Sequence, residues 1–555
     1  MYRPTSYEQH GMWVAQNLRG RDNTSFAIQQ AFRLQGPLDT DALAAALTDL
    51  VARHEPLRTT FAVREGTLVQ VVGTPFAVAV PVEPVPVGTS VDGARWVHDR
   101  ADEIHRAGFD LRTGPLLRAE LFAEAPERHT LVVTLHHIAA DGWSMNLFYR
   151  DLAEFYAARV HGRSARLPEL PTTYADWAQN CRRRLDADSE EALAYWRAQL
   201  RDIPAAVSLP TDRPPPPGPA PQGERVSADL DETVMAAVAS LAKASRTSSF
   251  MVLLAAFATL AARWSGQDDQ VLGTATANRS DPDTYDLVGC FVGVLPIRVR
   301  VRPERSFADV LQATRSALLE GQHHELPYEL IVREFPRPAT EPVFRIGISS
   351  FEGLGSDGLR LPGLDISALP AHVKDSPYDL SVSLAVADHR GRVDIAYPFA
   401  LFDRSTIDTL LDAYVELLRA AVTEPGQTVG RLPLAGLRRA TPDLPTPSVD
   451  APDVNVSDVN VSDGDAPDGD GEPPAGPMEE LIRTVWTSAL QAHVTSRHDD
   501  FFLLGGSSLS AVQVSAELSD VLGFAVPLRT VYEYSDLSEL AERLDELSAR
   551  HVPAD

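Results

Sequence analysis

One stretch, Thr441 to Pro477, decides how this chain can be organised. It reads TPDLPTPSVDAPDVNVSDVNVSDGDAPDGDGEPPAGP, rich in Asp, Pro, Ser and Gly and without Lys or Arg. Such a segment buries too little apolar surface to offset the entropy of ordering it, and its like charges repel. Residues 441–477 are therefore expected to form an acidic disordered linker. Its Asn-Val-Ser triplets match the glycosylation pattern, but Cys181 and Cys290 are the only cysteines, which favours a reduced cytosolic setting.

The remaining sequence has the apolar content of a globular protein, 44% hydrophobic and 7% aromatic. A net charge of −27 argues against polyanionic partners, so neither nucleic acid nor a membrane surface is expected. The N-terminus, MYRPTSYEQHGMW, has no apolar signal core and no later run is long enough to span a bilayer; a cytoplasmic protein is expected. The two lysines, Lys243 and Lys374, lie outside any phosphate-binding glycine loop, so substrate activation is expected elsewhere.

Before the linker, helical and extended periods alternate. In DALAAALTDLVARHEPLR, Leu43, Leu47, Leu50 and Val51 share a helical face that Pro56 ends. HTLVVTLHH reads as a buried strand, and Phe148, Leu152, Phe155 and Tyr156 mark a helix after it. TDRPPPPGPAPQ is a stiff exposed connector, and SFMVLLAAFATLAARW, apolar nearly all round, is a buried helix. After the linker, MEELIRTVWTSALQ, SLSAVQVSAELSDVL and LSELAERLDEL regain helical spacing, as in a small bundle.

The chemistry concentrates in LHHIAADGWS, Leu135 to Ser144. Neighbours on a strand point to opposite faces, so His136 and His137 cannot share one task. One faces the interior and the other an opening at the strand end. Gly142 permits a tight turn, and Asp141 can fix the loop or orient a ring. The helix starting near Ser144 puts its positive end close by, which favours a neutral imidazole and developing negative charge. A structural histidine pair is the competing reading, and spacing alone does not decide between them.

Further blocks, in order, carry a resemblance to the condensation domains of nonribosomal peptide synthetases over residues 1 to about 440. HHxxxDG is matched by His136, His137, Asp141 and Gly142. Ser6, Gln9, Met12 and Trp13 are similar to the family's N-terminal block, and Arg53 to Phe61 to its RHExLRTxF block. YADWA from Tyr174, SGQDDQVLGTATANR from Ser265 to Arg279, VGCFVGVLPIRV from Val288 and HHELPYE from His323 resemble four more. The resemblance implies an α/β fold of two chloramphenicol acetyltransferase-like lobes in a V, residues 1–180 and 181–440, with a channel between them. It also implies that His137 is the catalytic histidine, His136 is mainly structural, and Asp141 is an organiser paired with Arg279. Trp143 completes the motif, and Arg58 belongs to the supporting set. The family usually has Asn where this chain has Gly293, and the block around Pro342 and Phe344 lacks its usual polar ending.

DDFFLLGGSSLSAVQV, Asp499 to Val514, resembles a peptidyl carrier core within a four-helix bundle at residues 478–550. Ser508 aligns with the serine that carries covalent phosphopantetheine; two glycines ahead of a helix start expose a serine where a phosphodiester is favoured. Nothing between the two units resembles an adenylating domain. The implied partners are an upstream carrier delivering the donor, a trans-acting adenylation enzyme, a phosphopantetheinyl transferase, and a downstream module or release enzyme. The implied reaction is amide formation between a carrier-bound acyl donor and an amine acceptor, the acyltransfer of an enzyme in secondary metabolism.

Rival readings are a stand-alone acyltransferase making an ester or amide, and a noncatalytic recruitment domain, whose members typically lose the second histidine. A metal site is not expected. His323-His324-Glu325 has no partner at HExxH spacing, and Pro327 interrupts the helix such a motif needs.

Overall fold

The computed structural model describes residues 2–551 apart from 20–23, 25, 87–92, 205, 207–208, 217–222, 336–341, 351–357, 370–375, 377, 388–389, 435, 438–471, 491, 502–503, 505, 507, 525, 528–529 and 532–533. Most of the expected linker and the end of the proline connector thus lie outside the described residues.

The first half comprises β1 (Tyr2–Pro4), α1 (Tyr7–Arg19), β2 (Ala27–Gln35), α2 (Thr40–Arg53), β3 (Thr59–Arg64), β4 (Thr67–Val72), β5 (Val82–Pro84), α3 (Gly93–Arg106), β6 (Leu117–Ala125), β7 (Arg128–His136), α4 (Gly142–Val160), α5 (Tyr174–Ala187) and α6 (Glu190–Gln199). The Asp39 carboxylate accepts the Ala42 N–H to start α2, whose Leu43, Leu47, Leu50 and Val51 are buried, and the helix stops at His54, before Pro56. The apolar run in β7 is covered on both faces. Leu131, Val133 and Leu135 pack with α2 and α4, whereas Val132 joins a cluster with α3.

The second half holds β8 (Gly223–Leu230), α7 (Glu232–Ala244), α8 (Ser249–Ser265), β9 (Asp269–Thr276), β10 (Gly293–Arg300), α9 (Phe307–His323), α10 (Tyr328–Arg333), β11 (Ile346–Ser350), β12 (Asp365–Leu369), β13 (Leu380–Ala387), β14 (Arg390–Pro398) and α11 (Arg404–Thr423). Its sheet runs β10-β9-β11-β13-β14-β8, mixed in direction. Helix α8 is buried over nearly its whole length, capped by Ser248 and ended by Gly266 in a left-handed conformation. No single helix among the described residues is long and apolar enough to cross a membrane; α7 and α8 together approach that composition but meet at 103°.

The two halves are not separate in topology. Strand β12, lying between β11 and β13 in sequence, leaves their sheet and pairs antiparallel with β2, giving the order β12-β2-β7-β6-β5. A smaller β1-β4-β3 sheet flanks it. Helix α5 also runs across the expected lobe boundary at 180/181.

Towards the C-terminus, α12 (Pro477–Leu490), α13 (Ser508–Leu522) and α14 (Leu537–His551) surround Ile482, Trp486, Phe501, Leu518, Leu540 and Leu544, all fully buried. The sequence anticipates a fourth helix in this bundle; the stretch where it would fall lies partly outside the described residues.

Candidate active site

Strand β7 ends at His136, and the chain then turns into α4. The His137 N–H donates to the Phe26 carbonyl at 2.7 Å, which extends the pairing with β2 one residue past the strand. His136 is 2% exposed. Its Nδ1 accepts the Ile138 N–H at 3.0 Å, which places the ring proton on Nε2, and the Phe109 ring meets it edge-on at 5.7 Å. Burial, reinforced by neighbouring His137, lowers its pKa to about 3.

His137 differs in the respect its position requires of a reactive group: the ring keeps partial solvent access. Its Nδ1 is buried without a hydrogen-bond partner, leaving Nε2 as the nitrogen able to meet a substrate. Burial lowers its pKa, the Asp141 charge opposing, so the imidazole is held neutral.

Asp141 caps α4 instead of gripping either histidine. Its Oδ1 accepts the Ser144 N–H at 2.8 Å and lies 2.7 Å from the Ser144 hydroxyl; its Oδ2 accepts the Phe291 and Val292 N–H groups at 2.9 and 3.2 Å. Arg279 donates to Oδ1 at 3.3 Å and to Ser144 Oγ at 2.9 Å. The guanidinium is fully buried, donates to the Thr284 and Leu287 carbonyls, and lies 3.9 Å from the Phe291 ring centroid. Every acceptor position of the carboxylate is therefore occupied, by groups from both halves of the chain.

Gly142 is the first residue of α4, and Trp143 Nε1 donates to the Tyr285 carbonyl at 3.0 Å. Arg58 stands elsewhere. It donates to the Val51, Ala52 and Gly73 carbonyls and so ties the end of α2 to the residue just past β4. Two contributors sit in the family-like block from Val288, but the sequence does not say what they do there. The Phe291 and Val292 backbone N–H groups bind Asp141, and Gly289 lets the Tyr174 ring pack where a Cβ would collide with it. Only the three-dimensional meeting of these segments reveals them. An open groove of about 500 Å³ lined by Arg150, Arg166 and Arg360, among others, shares no residue with this site.

In the C-terminal bundle, Ser508 is the first residue of α13. Gly506 donates its N–H to the Phe501 carbonyl at 2.8 Å, and a Cβ there would strike that oxygen. The tight turn thus needs glycine and delivers Ser508 to a helix N-terminus, which fits a phosphodiester.

A family model described as the condensation domain matches residues 2–438. The chain belongs to the condensation-domain family. A second model, described as the phosphopantetheine attachment site, matches residues 480–544, and that unit carries covalent phosphopantetheine. The condensation domain is 33% identical over 446 residues to a dimodular nonribosomal peptide synthase of Bacillus subtilis, covering 77% of this chain and 18% of that protein. It is 34% identical over 441 residues to the phosphinothricin tripeptide synthetase PhsC of Streptomyces viridochromogenes, covering 78% and 40%. The chain thus spans less than half the length of these relatives. Among solved structures, the X-domain from teicoplanin biosynthesis superposes with a TM-score of 0.71 at 29% identity, covering 78% of this chain and 97% of that one. The fold is the chloramphenicol acetyltransferase-like α/β arrangement followed by a helical carrier region.

Proposed function

We propose that this condensation–carrier pair joins a carrier-bound acyl or peptidyl thioester to an amine acceptor, with His137 as the catalytic residue and Ser508 as the attachment point for phosphopantetheine. The observation that carries the reading is the unequal pair at the end of β7: a sealed, tautomer-fixed His136 beside a neutral His137 whose Nε2 is free to meet substrate. Phosphopantetheine supplies a thiol that holds the acyl group as a thioester on a long arm. His137 Nε2 accepts a proton from the amine as the C–N bond forms, and returns it to the sulfur as the C–S bond breaks. An α-amine titrates near pH ~8 and is partly neutral already, so holding it in place adds to base catalysis. The positive end of α4, fixed by the Asp141–Arg279 pair, faces the negative charge that develops on the carbonyl oxygen.

Only residues 439–479 lie between the two matched units, too few for an adenylating domain, which supports loading of Ser508 in trans. The partners follow: an upstream carrier for the donor, an adenylating enzyme, a phosphopantetheinyl transferase and a downstream module or release enzyme, in the cytoplasm.

A second reading is recruitment without catalysis. The similar X-domain is seen elsewhere in a complex with OxyB. One experiment separates the two: intact-protein mass spectrometry of the phosphopantetheinylated chain with donor and acceptor supplied. His137→Ala is expected to lose most product while keeping the phosphopantetheine mass gain, and Ser508→Ala to lose that gain. Normal turnover by His137→Ala would remove His137 from the mechanism.

A further inference from the structure

Two carboxylates that the reaction leaves unused are held at the end of β9, next to Arg279. Glu8 lies on α1 and Glu325 between α9 and α10, so each half contributes one. Glu325 bonds the Thr276 hydroxyl at the end of β9, and Asn278 Nδ2 donates to Glu8 Oε1 at 3.3 Å. Asn278 holds a left-handed φ of 49°, and the next residue, Arg279, turns to Asp141. One strand end thus serves both the Asp141 network and the two acids.

On the adjacent strand, Gly293 is paired with Thr276. A Cβ there would lie 2.7 Å from Thr276 Oγ1 and 3.1 Å from Glu325 Oε1, so the missing side chain leaves room for the Thr276 hydroxyl and, through it, for the Glu325 carboxylate it bonds. Gly293 is two residues from Phe291, whose N–H holds Asp141, about 7 Å along an extended chain. Met12, one turn on from Glu8 along the same face of α1, packs against the cluster containing Ile138, the residue after His137.

Both acids are surrounded by protein and yet keep partial solvent access, as groups lining an internal channel do. Neither has an ion-pair partner among the described residues. One pleat further in on the face of Thr276, the Thr274 hydroxyl is buried with no hydrogen-bond partner among the described residues. Enclosed acids are costly to ionise unless an opposite charge meets them, and a buried hydroxyl is costly to keep without a hydrogen-bond partner.

We propose that Glu8, Glu325 and the Thr274 hydroxyl form a subsite for a cationic group on the substrate, so that the condensation selects an aminoacyl or peptidyl unit with a basic side chain. This deepens the amide-forming reading and rests on it. Burial first, and then the charge of Glu325, push Glu8 up to about 7 against its own backbone N–H, the Ser6 hydroxyl and Arg182; burial pushes Glu325 up to about 6 against the Thr276 hydroxyl. Both acids are ionised above these values, so the preference strengthens as pH rises through them.

The test is calorimetry on the full chain with two unreactive probes, lysyl-pantetheine amide and norleucyl-pantetheine amide, each with a free or acetylated α-amine to sample acceptor and donor positions. At pH 8 the lysyl probe is expected to bind at least about tenfold more tightly in one of the two forms. That ratio should fall towards one at pH 5 and in Glu8→Gln/Glu325→Gln, and also in Gly293→Ala, which keeps both acids but displaces Glu325. A ratio near one for both forms of the wild-type probes overturns the proposal, as does a ratio untouched by the double substitution. Absence of amide product from the corresponding thioesters would instead refute the reaction and leave the binding result standing.

Discussion

His136 and His137 share a peptide bond and almost nothing else. His136 has one nitrogen fixed by the Ile138 N–H and a ring against Phe109; His137 has a buried Nδ1 and an accessible edge. Both imidazoles are lowered from their ordinary value of 6.5, His136 to about 3. In a histidine-selective ¹³C NMR titration, neither ring should protonate until the pH is below 6.5, and a His137 midpoint at or above 6.5 would contradict its neutral role. The sign for stability follows. Between about 3 and 6.5 the unfolded chain binds a proton at His136 that the native chain does not, so this group makes folding less favourable as pH falls. Glu8 acts in the opposite sense. Its raised pKa keeps a proton in the native state that the unfolded chain has lost above 4.5, so its contribution weakens as pH rises through about 7. Glu8→Gln should therefore raise the melting temperature more at pH 8 than at pH 5. Arg279→Ala strands a buried carboxylate among fixed N–H donors, and a loss of about 3–5 kcal/mol in urea unfolding is expected.

Periodicity locates an element where that element carries its own signal. The boundaries of α2 follow from Asp39 and Pro56, and the parity of β7 is enough to split the histidines. Periodicity is silent on β12, whose five residues alternate only weakly and find their partner some three hundred residues upstream. It is equally silent on Glu8 and Glu325, which come from different parts of the chain and reach the same strand end only through packing. Gly289 belongs with these. Its block resembles the family's, yet its reason is the Tyr174 ring, whose hydroxyl donates to the Cys290 carbonyl at 2.7 Å. Gly289→Ala should displace that ring and destabilise the protein by about 1–3 kcal/mol, measurable by denaturant midpoint.

At the scale of the whole molecule, the Asp141–Arg279 pair and the β2–β12 ladder bind the two halves of the condensation domain into one cooperative body. Differential scanning calorimetry should show these halves melting in a single transition, and Arg279→Ala should lower that transition without shifting the carrier's. Two separable transitions for the halves would contradict the coupling.

The stray strand also bears on recombination. A chimaera that joined residues 1–180 of this protein to the second half of a relative would inherit a foreign β12 at the rim of its first sheet and a foreign 279–292 segment around Asp141. Half-exchange is therefore a swap of three pieces, and the two short ones must travel with the N-terminal half for the graft to keep its histidine in place.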